Sequence, residues 1–339
     1  MAEFKYTSVL STYMYELMAE KHAHGHESSH LAQELRQIDR YLNAHPTGAL
    51  ISEDYYQQWF SSINDGNRSR KTIYKKASSF CQLLRYMRNV GIMCYLPRLP
   101  RENDHKFIPY IFTHDEVSLI FNTADALRIR NEMNRTSLLS IPPMMRVLYS
   151  TGMRVGEAIK LRNKDVDFRR HTILLHETKN NHQRLCPINN SLEPVLKEYI
   201  SYRNRLPLPR ITDGESPFFV TRQGRQLNRG TVERWFRVIL NKAGIPYIGN
   251  FAGPRVHDLR HSSCVHAMIK LTNEGMDLRC SLPLLSKFLG HLDAFSTERY
   301  LRMTQEVYPD VLHKANLELP EIEEIIKQAC KIEHWDEDN

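Results

Sequence analysis

The run "LPRLPRENDHKFIPYIF" at 96–112 sets the first limit on the fold, because its three prolines interrupt any helix or central strand laid through it. With its mixed charge it reads as an interdomain linker, placed at 97–111. To its left the pattern is helical throughout. "SVLSTYMYELMAEK", "HLAQELRQIDRYLNAH", "SEDYYQQWFSSI" and "RKTIYKKASSFCQLLRYMRNVG" each repeat apolar residues at three- and four-residue spacing. Four such segments with short polar connections predict a helical bundle over 1–96.

To the right of the linker the periodicity changes. "FTHDEVSLIF" opens with Thr113 and Glu116 spaced as a capping box before a helix. Three short strands are then expected, at "DVDF", "HTILLHET" and "HQRLCPI", with the last two joined as a hairpin through Asn180-Asn181. Helices are expected at 191–204 and 229–243, with a strand at "PFFVT" and a turn at "RQGRQ" between them, and mainly helix to about 330. The fold class is therefore mainly α with a small antiparallel β-sheet (α+β). At 339 residues the chain can bury two cores.

Composition excludes more than it selects. With 41% hydrophobic and 25% charged residues, and neither a membrane-length apolar run nor a signal-peptide core in "MAEFKYTSVL", the chain reads as a soluble cytoplasmic protein without membrane attachment. Six scattered cysteines without a CxxC pair fit reduced thiols, not a disulfide framework or zinc site. The histidines of "KHAHGHESSH" read as a solvated loop between helices, so no metal is expected. The net charge of +7 is compatible with a nucleic-acid partner. Its distribution says more: residues 68–88 carry seven Lys/Arg and no acid, whereas "LELPEIEEIIKQACKIEHWDEDN" has eight acids against two lysines. Within the basic stretch, Arg68, Arg70, Lys71, Lys75 and Lys76 are the candidate DNA contacts, against the alternative of an ordinary solvated face.

One constellation carries chemistry. Arg154 follows a Thr-Gly turn in "LYSTGMRVGEAIKLR", with Glu157 one helical turn later to hold its guanidinium. Lys179 sits at the expected hairpin tip, and His257 and Arg260 lie three apart in "RVHDLRHSS", on one helical face. In "SKFLGHLDAFSTERY", His291 follows a glycine helix stop and precedes Tyr300 by nine residues. Two arginines suit the clamping of phosphate oxygens, a histidine and a lysine can move protons, and a tyrosine can be a covalent nucleophile. No P-loop, DxD or histidine-carboxylate cluster accompanies them. The set is thus equipped for phosphoryl transfer without metal, nucleotide or other cofactor.

In this order, and with this local wording, the residues resemble the tyrosine recombinase (phage integrase) family. "TGMRVGEAIKLRNKDVD" looks like its first arginine box, "HDLRHSS" like its second and "LLSKFLGHLDAFSTERYLRM" like its final box. The resemblance implies a core-binding domain over 1–96, a catalytic domain over 112–319, and a C-terminal helix or tail at 320–339 that docks on a neighbouring protomer, the alternative being that its apolar stripe folds back on its own domain. It implies that Tyr300 attacks the scissile phosphate to form a 3′-phosphotyrosyl bond. Arg154 and Arg260 then neutralise the phosphate oxygens, with Glu157 orienting Arg154. His257 assists tyrosine deprotonation, Lys179 protonates the departing 5′-oxygen and His291 donates to the phosphate. The implied partners are double-stranded recombination sites, a homotetramer in the synapse (monomer or dimer off DNA), and accessory DNA-bending proteins or partner recombinases. The implied setting is the cytoplasm, at the nucleoid.

Two departures stand out. About 30 residues separate Arg260 from His291, so "IKLTNEGMDLRCS" is expected to hold an extra turn or loop, and "TKNNHQR" lacks the glycine-rich hairpin tip. A separate DNA-binding domain ahead of the bundle, and with it arm-site binding, is not expected. A mobile-element integrase or transposase is the leading role. The alternatives are a replicon-dimer resolvase, a type IB topoisomerase, and a catalytically idle DNA-binding paralogue.

Overall fold

The computed structural model describes residues 5–25, 29–48, 50–66, 68–100, 109–128, 137–176, 183–246, 253–276 and 278–290. The chain divides into two compact units, Met1–Phe107 and Ile108–Asn339.

In the first unit the described helices are α1 (Ser11–Ala23), α2 (Ser29–Ala44), α3 (Glu53–Ile63) and α4 (Arg70–Asn89). Ser52 and Ser69 start α3 and α4 by accepting the amides of Tyr55 and Thr72, each at 3.2 Å. Ile73, Ala77, Phe80, Leu84 and Met87 form the buried stripe of α4, the helix against which α1 and α2 pack. Trp59 meets Phe80 edge-on at 4.7 Å between ring centroids. Buried Asp39 of α2 accepts the amides of Thr7 and Ser8 at 3.0 and 2.8 Å, fastening the segment that enters α1.

The second unit begins with α5 (His114–Asp125), where Thr113 and Glu116 form the expected capping box. Next comes α6 (Ile141–Thr151), with prolines in its first turn and Gly152 closing it at φ 59°. Helix α6 packs against α5, and also against α8 (Leu192–Arg203) and α10 (Val256–Asn273), so it is apolar around much of its surface. Helix α7 (Val155–Lys160) leads into β1 (Val166–Asp167), β2 (Thr172–Leu175) and β3 (Arg184–Pro187), an antiparallel sheet in the order β1-β2-β3. The register pairs Val166 with Ile173, Ile173 with Cys186, and Leu175 with Arg184. Ile173, Leu175 and Cys186 are buried on one face, while Leu185 is 62% exposed on the other. Helix α9 (Arg229–Lys242) is capped by Asn228, which accepts the Thr231 amide at 2.8 Å. Helix α10 runs to Asn273 and turns through Gly275 at φ 85°, within the stretch expected to hold an extra turn; α11 (Leu278–Leu289) follows.

The strand expected at "PFFVT" does not form. Only two isolated bridges occur there, Arg162 with Pro217 and Val220 with Gln226. Phe218, Phe219 and Val220 are all buried, so there is no exposed face for an alternating strand. Their backbone groups are satisfied largely by side chains: the Phe218 carbonyl accepts from Tyr199 and Arg203, and Ser140 bonds both the carbonyl and the amide of Val220. The hairpin tip expected at Asn180-Asn181 lies outside the described residues, as do Lys179, His291, Tyr300 and the tail at 320–339.

Candidate active site

Both arginine motifs are built by the same local device. Arg154 stands at the N-cap of α7 in extended conformation, and the carboxylate of Glu157, three residues on, accepts its backbone N–H at 2.8 Å. The other oxygen of Glu157 accepts Nη1 of the Arg154 guanidinium at 2.8 Å, so one carboxylate fixes the helix start and the side chain together. At α10 the N-cap is Arg255, and Asp258 accepts its N–H at 2.8 Å. This seats His257 in the first helical turn, where the positive end of the helix dipole lies.

Arg260, 2% exposed, joins three parts of the fold. Its Nη1 donates to the Gly152 carbonyl at 2.6 Å, two residues before Arg154, and its Nη2 donates to the Leu289 carbonyl at 2.8 Å. Leu289 is the last residue of α11, Gly290 follows at φ 66°, and the next residue in the chain is His291. Both the approach and the conformation explain the glycines. A Cβ on Gly152 would lie 2.9 Å from Leu289 Cδ2, and one on Gly290 would lie 2.9 Å from Arg184 Cδ.

The electrostatics are those of an anion cradle. His257 has an exposed surface but titrates far below the usual histidine range, pushed down to about 4 by partial burial of the ring, then by the charges of Arg260, Arg154, Arg255 and Arg229. His261 packs edge-on against it, with ring centroids 4.8 Å apart. At neutral pH the imidazole is uncharged and able to accept a proton. Glu157 behaves oppositely. Burial favours its neutral form, but hydrogen bonding from Arg154 and the charge and donors of Arg184 hold its pKa below the ordinary carboxylate value. Arg154 keeps 25% of its side chain exposed, and the Glu157 carboxylate occupies one of its five N–H donors.

The structure therefore brings Arg154, Glu157, His257 and Arg260 together. Arg184, Arg229, Arg255 and Asp258 join them unannounced by the sequence reading. The Arg255/Asp258 pair was legible in principle, since it repeats the i,i+3 spacing of Arg154/Glu157. Arg184 could have been found from the alternation in "RLCP", which places it on the same face as buried Cys186.

The basic stretch before and along α4 divides. Arg70, Lys71 and Lys75 are exposed, and Arg68 pairs with Asp65 at 2.8 Å. Lys76 departs from the expectation of a DNA contact. Its side chain is 11% exposed, its ammonium lies 3.0 Å from Glu34, and it also bonds Gln37. Packing of α4 on α2 turns this charge into an internal tie. A further groove of about 750 Å³, lined by Lys160, Arg162, Lys164 and His176, has most of its polar groups engaged: Arg162 and Lys164 pair with Glu215, and His176 hydrogen-bonds Asp165 at 3.0 Å. Among the described residues no helix is long and apolar enough to cross a membrane.

Comparison with known proteins places this fold among the tyrosine recombinases, which are DNA strand-exchange enzymes. Residues 111–306 match the phage integrase family, and the chain belongs to it. An integrase/recombinase of Sinorhizobium fredii is 25% identical over 225 residues, 66% of this chain and 68% of that one. Tyrosine recombinase XerC of Oceanobacillus iheyensis is 25% identical over 304 residues, covering 88% of this chain and 92% of its own length. Among solved structures, the Tn1549 transposon integrase in complex with transposon right end DNA superposes with a TM-score of 0.63 at 16% identity, over 87% of this chain and 94% of that one.

Proposed function

We propose that this recombinase cuts and rejoins DNA through a 3′-phosphotyrosyl intermediate formed by Tyr300. Arg154 and Arg260 neutralise charge on the scissile phosphate, and His291 donates to it. His257 takes the phenolic proton as the Tyr300 oxygen bonds to phosphorus. The bond from phosphorus to the 5′-oxygen breaks, and Lys179 supplies the proton to that oxygen. Attack by a 5′-hydroxyl of a second duplex reverses the chemistry. Exchange of one strand pair leaves a Holliday junction, and the phosphotyrosine conserves the bond energy, so neither ATP nor metal is required.

The observation that carries this reading is the placement of Arg260. Its guanidinium bonds both the turn that presents Arg154 and the last residue of the helix that precedes His291. Exposed Arg70, Lys71 and Lys75 supply phosphate contacts from the helical unit, and four protomers assemble on two duplexes, each tail at 320–339 docking on a neighbour. The cellular role is integration or transposition of a mobile element, which the Tn1549 integrase likeness supports; the XerC relatives favour equally the resolution of replicon dimers in the cytoplasm. Excised element circles in cells would favour the first, and persistent plasmid dimers in a deletion strain the second.

The chemistry is tested with a nicked duplex carrying the half-site that the protein selects from randomised DNA. Wild-type protein should form a covalent adduct whose labelled peptide contains Tyr300. Tyr300→Phe should bind the same duplex without cutting it. A phosphotyrosine mapped to Tyr308 would overturn the assignment, and a wild-type protein that binds its site without any adduct is an idle paralogue.

A further inference from the structure

The start of β3 holds a cation that no part of the proposed reaction uses. The Arg184 side chain is only 8% exposed, and its Nη2 lies 2.9 Å from the Glu157 carboxylate. That is the oxygen which also accepts the Arg154 backbone N–H. Nη1 of Arg184 donates to the Phe288 carbonyl in the last turn of α11. Arg260 bonds the adjacent carbonyl, of Leu289. Two guanidinium groups thus cap consecutive carbonyls that the helix itself leaves without i+4 donors, where the negative end of the helix dipole also favours cations.

We infer that Arg184 is a positioning residue, which ties the Glu157 buttress of Arg154 to the C-terminal end of α11 and so sets the spacing between the two sides of the phosphate site. The inference rests on the reading that Arg154 and Arg260 hold the scissile phosphate. Its physical basis is geometric. A planar guanidinium spans a carboxylate on one side and a carbonyl on the other, which a point-like ammonium cannot do from a single position. Glu157 is 4% exposed, so it needs both arginines to remain ionised without drawing Arg154 fully onto itself. Gly290 records the same closeness, having no room for a Cβ against the Arg184 side chain. Arg184 is also the register partner of Leu175, so β3 links this tie directly to the strand leading into the segment that carries Lys179.

The test is a double-replacement cycle on single-turnover cutting of the selected, nicked half-site at saturating protein. Arg184→Gln alone should slow cutting by about tenfold or more while changing half-site affinity less than about threefold; in the Arg154→Ala background the same replacement should cost less than about threefold, because the group it positions is already gone. A residue that only holds the fold together would multiply its loss in both backgrounds, and that result overturns the inference. So does unchanged cutting by Arg184→Gln. Wild-type cutting by Arg154→Ala would instead overturn the phosphate-site reading, and this inference with it. Arg184→Lys, which keeps the charge but not the span, runs the same cycle if the glutamine variant does not fold, with the same outcomes deciding.

Discussion

His257 is the residue whose chemistry depends most on its neighbours. An ordinary histidine titrates near 6.5, whereas here burial and four arginines bring the value down to about 4. Because the folded value lies below the unfolded one, the associated stability is full above about pH 6.5 and is lost as pH falls through the window down to about 4. His266, buried and stacked on His114 at 3.9 Å, is also pushed down to about 4, so both rings draw on the same window. Residue-resolved imidazole NMR should find His257 neutral at pH 6 in the free protein. Adding the half-site duplex should move its titration upward, since a phosphate offsets the guanidinium charges; a downward or absent shift would place the phosphate elsewhere. Arg154→Ala should slow adduct formation on the order of 10²–10³-fold, the loss of about 3 kcal/mol expected for one preorganised charge donor. Equal rates for the variant and wild type in single turnover would contradict this. The sequence exposed Arg154, Glu157, His257 and Arg260 because their spacings are local. The alternation in "RLCP" marks Arg184 as facing inward, but not its partners, Glu157 and Phe288, which lie 27 and 104 residues away.

At the scale of elements, the site consists of helix ends. Helices α7 and α10 begin at it with an arginine N-cap held by a carboxylate three residues on, and α11 ends at it with two capped carbonyls. The end of α11 therefore tolerates little change. Gly290→Ala places a Cβ at φ 66° against Arg184 and should destabilise the second unit by about 1–2 kcal/mol from backbone strain alone. Cutting should fall with it, as α11 shifts off Arg184 and Arg260. Thermal unfolding together with single-turnover cutting checks both effects, and an alanine variant matching wild type in both would show that this helix end is loosely held. The start of α5 was legible because a capping box is a four-residue signal. "PFFVT" was misread because its apolar residues satisfy a strand pattern, while Ser140 and Tyr199, 80 and 21 residues away from Val220, take its backbone bonds.

At the scale of the molecule, the exposed charge on α4 is the proposed means by which the helical unit contacts DNA phosphates. Replacing Arg70, Lys71 and Lys75 with glutamine should weaken half-site binding and flatten the slope of log affinity against log salt by up to about 2.7, some 0.9 for each counterion no longer released. Lys76→Gln should leave that slope unchanged and lower the melting temperature instead, because its charge is spent on Glu34. Salt titrations and melting curves on the two variants separate the roles, and a slope change in Lys76→Gln would return that residue to the DNA face. The amphipathic helices, the paired strands β2 and β3 and the capping box of α5 were all readable from the chain. Each rests on periodicity or on hydrogen bonds that close within about four residues. Which charges face solvent and which are consumed inside was decided only by the tertiary structure. Lys76 meets Glu34 across 42 residues, Arg184 meets Glu157 across 27, and Arg260 meets Gly152 across 108. Removing a charge from water obliges it to find a partner, and packing, not sequence proximity, selects which partner is within reach.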